Sequence, residues 1–254
     1  MRMLGAAAGR EVRRQLVQPW SWLMVALFAL LAGVAFATNL SAFLDASLEA
    51  LGAPRSRPIS VNQLLIRPFI VEVGMVALLV LPLLTAGLGV RGRPVVRSPA
   101  RSAPASTVAD VAAPFVGVLT VYVVMLALSL MLLLVLFLFG DPEWAPIASG
   151  YLGLLLIGGA FLAAALLIAS LAASVLPAVA ATLALSLALA ALTWLGDSSV
   201  SGTREVFRAL SVGAVLDDFA KGVIDTGHVV TSVTIAAVAL FLTKSALEPN
   251  QSRQ

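Results

Sequence analysis

From Ala145 to Gly196 the chain contains no Asp, Glu, Lys or Arg. Helices that face water need a polar stripe, and a run this long without one is not the sequence of a soluble fold. Its length suits two membrane crossings of about 20 residues each, with Pro177 marking a short connection between them. A polar turn, Gly140-Asp141-Pro142-Glu143, precedes it. There Asp141 is placed to cap a helix, Pro142 to occupy its first position, and Glu143 to favour the positive end of its dipole.

The rest of the chain has the same character. Of its 254 residues 60% are hydrophobic and 11% charged, against about 25% charged in ordinary soluble domains. The apolar stretches divide into six spans at 20–39, 68–90, 115–139, 149–174, 178–195 and 228–243. The expected fold is all-α: a polytopic membrane protein with one transmembrane domain over 1–254. The absence of Cys excludes disulfides and thiolate metal sites, and a single His, His228, cannot build a histidine cluster. No cofactor is expected. A net charge of +3 and a pI near 9.9 could suit nucleic acid, but no basic surface interleaved with aromatics occurs, and membrane topology accounts for the basic residues.

Residues 1–19 read as an interfacial elbow helix. Leu4, Ala8, Val12 and Leu16 recur every fourth residue, while Arg10, Arg13 and Arg14 fall on the other side. The plainer alternative is a basic cytoplasmic tail. Pro19 ends this helix, and Trp20 and Trp22 suit an interface belt. Ala35-Phe36-Ala37 resembles a signal-peptidase site, but the apolar run is too long for a signal peptide, so the first span is expected to stay uncleaved.

Residues 41–67 read as a polar loop carrying Asp45, Glu49, Arg55 and Arg57. Glu72 is the only carboxylate inside an apolar span and is a candidate intramembrane polar site. The simpler reading is that it reaches the interface or pairs with Arg67. Residues 91–110 combine Arg91, Arg93, Arg97 and Arg101 with three prolines. With Pro114, these argue against one regular helix and mark a cytoplasmic loop that is either merely solvated or a contact surface. Gly159 and Ala163, Ala160 and Ala164, Ser170 and Ser174, and Ala180, Ala184 and Ala188 place small residues four apart, which allows close helix packing. In the polar segment 196–227, Gly213 is expected to separate two short helices, and Asp217 to pair with Lys221. Asp217 and Asp218 diverge on a helix, so they read as solvated surface and not as a metal pair.

Counting Lys and Arg tests this division. With the N-terminus in the cytoplasm, ten of the 16 lie in cytoplasmic segments and six outside. The bias has the sign expected for both termini inside, and an even number of spans agrees. Chemistry of its own is not expected of the chain. There is no phosphate-binding Gly-x-x-x-x-Gly-Lys-Ser/Thr loop, no credible Ser-His-Asp set, and no series of buried charges for a proton relay. Work done by such a chain needs an external energy source.

Several segments, in order, carry a family resemblance. They are Glu11 and Pro19 ahead of a span; Asn62-Gln63-Leu64-Leu65-Ile66-Arg67-Pro68; Leu81-Pro82-Leu83-Leu84-Thr85; Gly140-Asp141-Pro142 with Gly150-Tyr151-Leu152-Gly153-Leu154; and Asp218-Phe219-Ala220-Lys221-Gly222-Val223-Ile224-Asp225. Together they resemble the ABC-2 type transporter permease subunits, in particular the gliding-motility-type branch. The resemblance implies six transmembrane helices, an N-terminal elbow and short extracellular helices before the last span. It implies a second permease subunit, identical or not, and cytoplasmic ABC ATPase subunits that hydrolyse ATP in place of this chain. Partner contacts are expected at Arg10, Glu11, Arg13 and Arg14 of the elbow and at Arg91, Arg93, Arg97 and Arg101. The chain departs from the family where paired glutamates and a leucine-rich coupling helix usually follow the second span. It reads Ala86-Gly87-Leu88-Gly89-Val90-Arg91-Gly92-Arg93-Pro94 there, a degenerate coupling loop. A non-transporting membrane anchor in a larger envelope assembly is the alternative. The expected setting is a bacterial inner membrane.

Overall fold

In a computed structural model, residues 2–52, 60–89, 107–137, 142–198 and 211–247 are described. Every regular element among them is helical: α1 (Arg2–Val17), α2 (Pro19–Gly52), a single π-helical turn (Asn62–Ile66) running into α3 (Arg67–Gly89), α4 (Thr107–Leu136), α5 (Trp144–Leu171), α6 (Val175–Ser198), α7 (Val212–Ala220) and α8 (Thr226–Leu247). Six of them, α2, α3 with its π turn, α4, α5, α6 and α8, are long and apolar enough to cross a membrane. The protein is a multi-pass, all-α membrane protein.

Side-chain contacts fix the directions of the spans. The Trp20 indole donates to the Leu83 carbonyl at 3.1 Å, placing the start of α2 beside the end of α3. Tyr122 contacts Leu154 and Ser129 contacts Tyr151, so α4 and α5 run antiparallel. One end of the bundle therefore holds α1, and the other holds α7. The core centres on α3, whose Phe69, Ile70, Val80 and Leu81 are fully buried, with Phe28 of α2 and Met125 of α4. The spans α6 and α8 are mostly exposed and form the rim.

Several boundaries differ from the sequence expectation. Helix α2 has 34 residues, about 51 Å at 1.5 Å per residue, far more than a hydrocarbon core of about 30 Å requires. The expected loop from residue 41 is helical to Gly52. Residues 41–52 hold no helix breaker before Gly52, and Asp45 and Glu49 fall on one exposed face. Helix α4 begins at Thr107 and continues through Pro114; its packing along α1 holds these turns against the proline. Helix α5 begins at Trp144, after an extended Glu143 that makes no side-chain cap. Pro142 thus precedes the helix, and Pro146 occupies its first turn, where an amide has no helical partner anyway. Asp141 lies outside the described residues. Pro177 likewise sits in the first turn of α6, after the connection Ala172-Ala173-Ser174.

Gly213 lies inside α7 and not at a boundary, and the other of the two short helices expected here falls outside the described residues. Gly213 is buried in the first turn, its amide held by Thr193 Oγ1 at 3.3 Å. Residues 199–210 lie outside the described residues, so α7 is the described part of that polar segment. The Ser211 hydroxyl caps its start by accepting from the Ala214 amide at 3.2 Å. Gly222, at φ 85°, ends it: the Gly222 amide reaches the Phe219 carbonyl and the Val223 amide the Asp218 carbonyl, the paired bonds of a Schellman stop.

Candidate functional site

Polar side chains gather at both ends of the bundle. At the α7 end, Arg67 opens α3 directly after the π turn. Its Nε donates to Asp217 Oδ1 and its Nη2 to Asp217 Oδ2, the latter at 2.6 Å. One turn further along α7, Lys221 Nζ lies 2.8 Å from Asp217 Oδ2 and 2.9 Å from Asp218 Oδ1. The expected Asp217–Lys221 pair is present, and Arg67 joins it. The long lysine side chain also bridges the two adjacent acids, although they diverge on the helix. Burial pushes the Asp217 carboxyl up, but hydrogen bonds and charge from Arg67 and Lys221 outweigh it and hold the group below its ordinary 3.8. The same bonds, to Asp217 first and Asp218 next, raise Lys221 above 10.5.

The apolar face of α7 is sunk between α3 and α5. Leu216 and Phe219 are fully buried. Gly153 allows the close approach of Phe219: a Cβ there would stand 2.7 Å from the ring. The Ser149 hydroxyl of α5 donates to the Phe219 carbonyl at 2.6 Å. The tip of Leu216 enters a narrow apolar crevice whose walls include Gly74, Ala77, Tyr122, Leu154 and Gly158.

Glu72 does not pair with Arg67. It lies exposed on the outer side of α3 and accepts from Asn39 Nδ2 at 2.7 Å. Asn39 is buried near the middle of α2 and also donates to the Ala35 carbonyl at 2.8 Å. The sequence reading did not single out Asn39. A lone carboxamide at the edge of an apolar span was the available signal.

At the other end, Pro19 turns the chain from α1 into α2. Helix α1 lies along α4, with Glu11 and Gln15 facing Gly117, where a Cβ would stand 2.9 Å from Glu11 Cγ. Glu11 accepts from Arg14 and, at 3.2 Å, from Gln15 Nε2; the Ser21 hydroxyl donates to Gln15 Oε1 at 3.3 Å. Glu11 and Arg14 are thus committed to each other, while Arg10 and Arg13 are exposed. Ala8, Val12 and Leu16 are half-buried, as their spacing predicts. Trp20 and Trp22 are exposed, and the Trp22 indole donates to the Leu16 carbonyl at 2.6 Å. Arg91, Arg93, Arg97 and Arg101 lie outside the described residues.

The small-residue pattern is only partly used within the bundle. Ala160 and Ala163 are buried, but Gly158 receives the Tyr122 ring while Gly159 has only a loose neighbour. Ala180, Ala184 and Ala188 all point outward. Compared with known proteins, the chain matches no family model and no curated protein.

Proposed function

We propose that the chain is the membrane-spanning permease subunit of an ABC-2 type transporter, driven by a separate cytoplasmic ATPase subunit. The observation that carries this reading is the placement of α1. An amphipathic helix turns at Pro19 and lies along α4 at one end of the bundle, and the Arg-rich residues 91–101 precede α4 in the sequence. In this reading that end is cytoplasmic, in a bacterial inner membrane, and α7 lies on the extracellular side. The colinear motifs and the excess of Lys and Arg at the elbow end support it.

In this mechanism Arg10, Arg13 and residues 91–101 receive the ATPase. A push on α1 passes to α4 through the Glu11 and Gln15 contacts at Gly117, and from α4 to α5 through Tyr122 and Leu154. The chain supplies no group for hydrolysis; it turns a partner's motion into relative movement of its helices. A second permease subunit completes the path, and the exposed faces of α6 and α8 are available to it or to lipid.

The test is detergent co-purification of the tagged chain from its native cells, with mass spectrometry and an ATP hydrolysis assay. The expected result is recovery of a nucleotide-binding subunit, reduced at least tenfold by Arg10→Glu with Arg13→Glu. Recovery of envelope proteins without any ATPase would replace this reading with that of a non-transporting anchor.

A further inference from the structure

Helix α7 is the one described element that enters the bundle without crossing it. Its nine residues put Leu216 into the crevice between α3, α4 and α5, and Phe219 against Gly153. Ser149 and Thr193 each hold its backbone by one hydrogen bond, and its ionic hold is the guanidinium of Arg67, which grips Asp217 from a residue 150 positions away. Two-point Arg–carboxylate pairs are at the strong end of such bonds, yet this one is part-exposed and accessible to salt. Arg67 also follows the π turn directly, and π turns insert an extra residue where a helix can change register.

We infer that α7 is a stopper and that Arg67–Asp217 is its latch: releasing the pair lets α7 lift and opens the crevice behind Leu216 to the α7 end of the bundle. This holds whether or not the chain transports anything. Arg67 belongs to α3 and Asp217 to α7, so a one-residue shift at the π turn would carry the guanidinium off the carboxylate. Asp217 would keep Lys221, which follows α7 directly, and the freed Arg67 guanidinium, already part-exposed, would turn to solvent.

The chain has no Cys, which allows a direct test. Ala77 lines the crevice and is 3% exposed; Ala77→Cys would report opening by its rate of reaction with N-ethylmaleimide in the purified chain. Ala163→Cys, at a position fully buried elsewhere in α5, would report general loosening. Adding Arg67→Ala should speed labelling at position 77 at least tenfold and leave position 163 unchanged. The exchange Arg67→Asp with Asp217→Arg should restore protection. A Cβ on Gly213 would lie 3.4 Å from Thr193 Cβ, close to disulfide spacing. Thr193→Cys with Gly213→Cys, once oxidised, should therefore pin α7 and cancel the effect of Arg67→Ala. Unchanged labelling at position 77 in Arg67→Ala would overturn the inference. So would a parallel rise at position 163, which would make the pair a support of the whole bundle, or a rise that the disulfide failed to cancel.

Discussion

The hydroxyl of Tyr122 donates to the carbonyl of Leu154 at 2.8 Å, joining α4 to α5 at a depth where no water competes. The ring can reach that carbonyl because Gly158, one turn on, has no side chain: a Cβ there would lie 2.4 Å from the ring. Gly158→Ala should therefore push the ring away and cost about 1–3 kcal/mol, as overpacking does. Tyr122→Phe removes only the hydrogen bond and should cost about 1 kcal/mol. Thermal unfolding of the purified chain in detergent should rank Gly158→Ala below Tyr122→Phe; the reverse order would show that the ring is free to move.

Ser149 and Ser170 make a matched comparison on α5. Both hydroxyls bond within the helix, but only Ser149 also reaches another element, the Phe219 carbonyl of α7. Ser149→Ala should lower stability by about 0.5–1.5 kcal/mol. Ser170→Ala should change it by less than about 0.5 kcal/mol, as surface changes usually do. Equal effects would mean that the bond to α7 contributes nothing.

The ion cluster sets a pH window. The Asp217 carboxyl is depressed below its ordinary 3.8, so its stabilisation is present above that value and is lost as the pH falls through the lower folded-state value. Lys221 is raised above 10.5, so its contribution is complete below that value and is lost as the pH rises through the folded one. Asp217→Asn should thus narrow the difference from the parent chain only at acid pH. Unfolding midpoints measured from pH 3 to 8 should show a constant gap above about pH 5. A gap that changed between pH 6 and 8 would point to another titrating group.

The elbow offers a steric test. Gln15 is buried against α4 at Gly117. In Gly117→Val the new side chain meets Glu11, so α1 should be displaced and Gln15→Cys should react with maleimide several-fold faster than in the parent. Arg13→Cys, exposed already, should react at an unchanged rate.

Much of the architecture was legible because it rests on local properties. Hydropathy over about 20 residues located all six spans, and Pro19 located the elbow. The errors were also local. Pro142 was read as the first helical position, yet α5 begins at Trp144 and Pro146 falls in its first turn; Pro177, read as a connection, falls in the first turn of α6, where a proline is equally acceptable. The loop expected from residue 41 contained polar residues but nothing that stops a helix before Gly52.

The chain's order of residues was sufficient by itself to determine an all-helical, multi-pass protein with an amphipathic entry helix, because apolar length and turn chemistry act over a few residues. Only the tertiary structure decided that Arg67 meets Asp217 and not Glu72, that Glu72 meets Asn39, and that Gly158 rather than Gly159 receives a ring. Those choices depend on how the helices rotate about their axes and how far they slide along one another. A helix that is apolar on every side carries little record of either in its sequence.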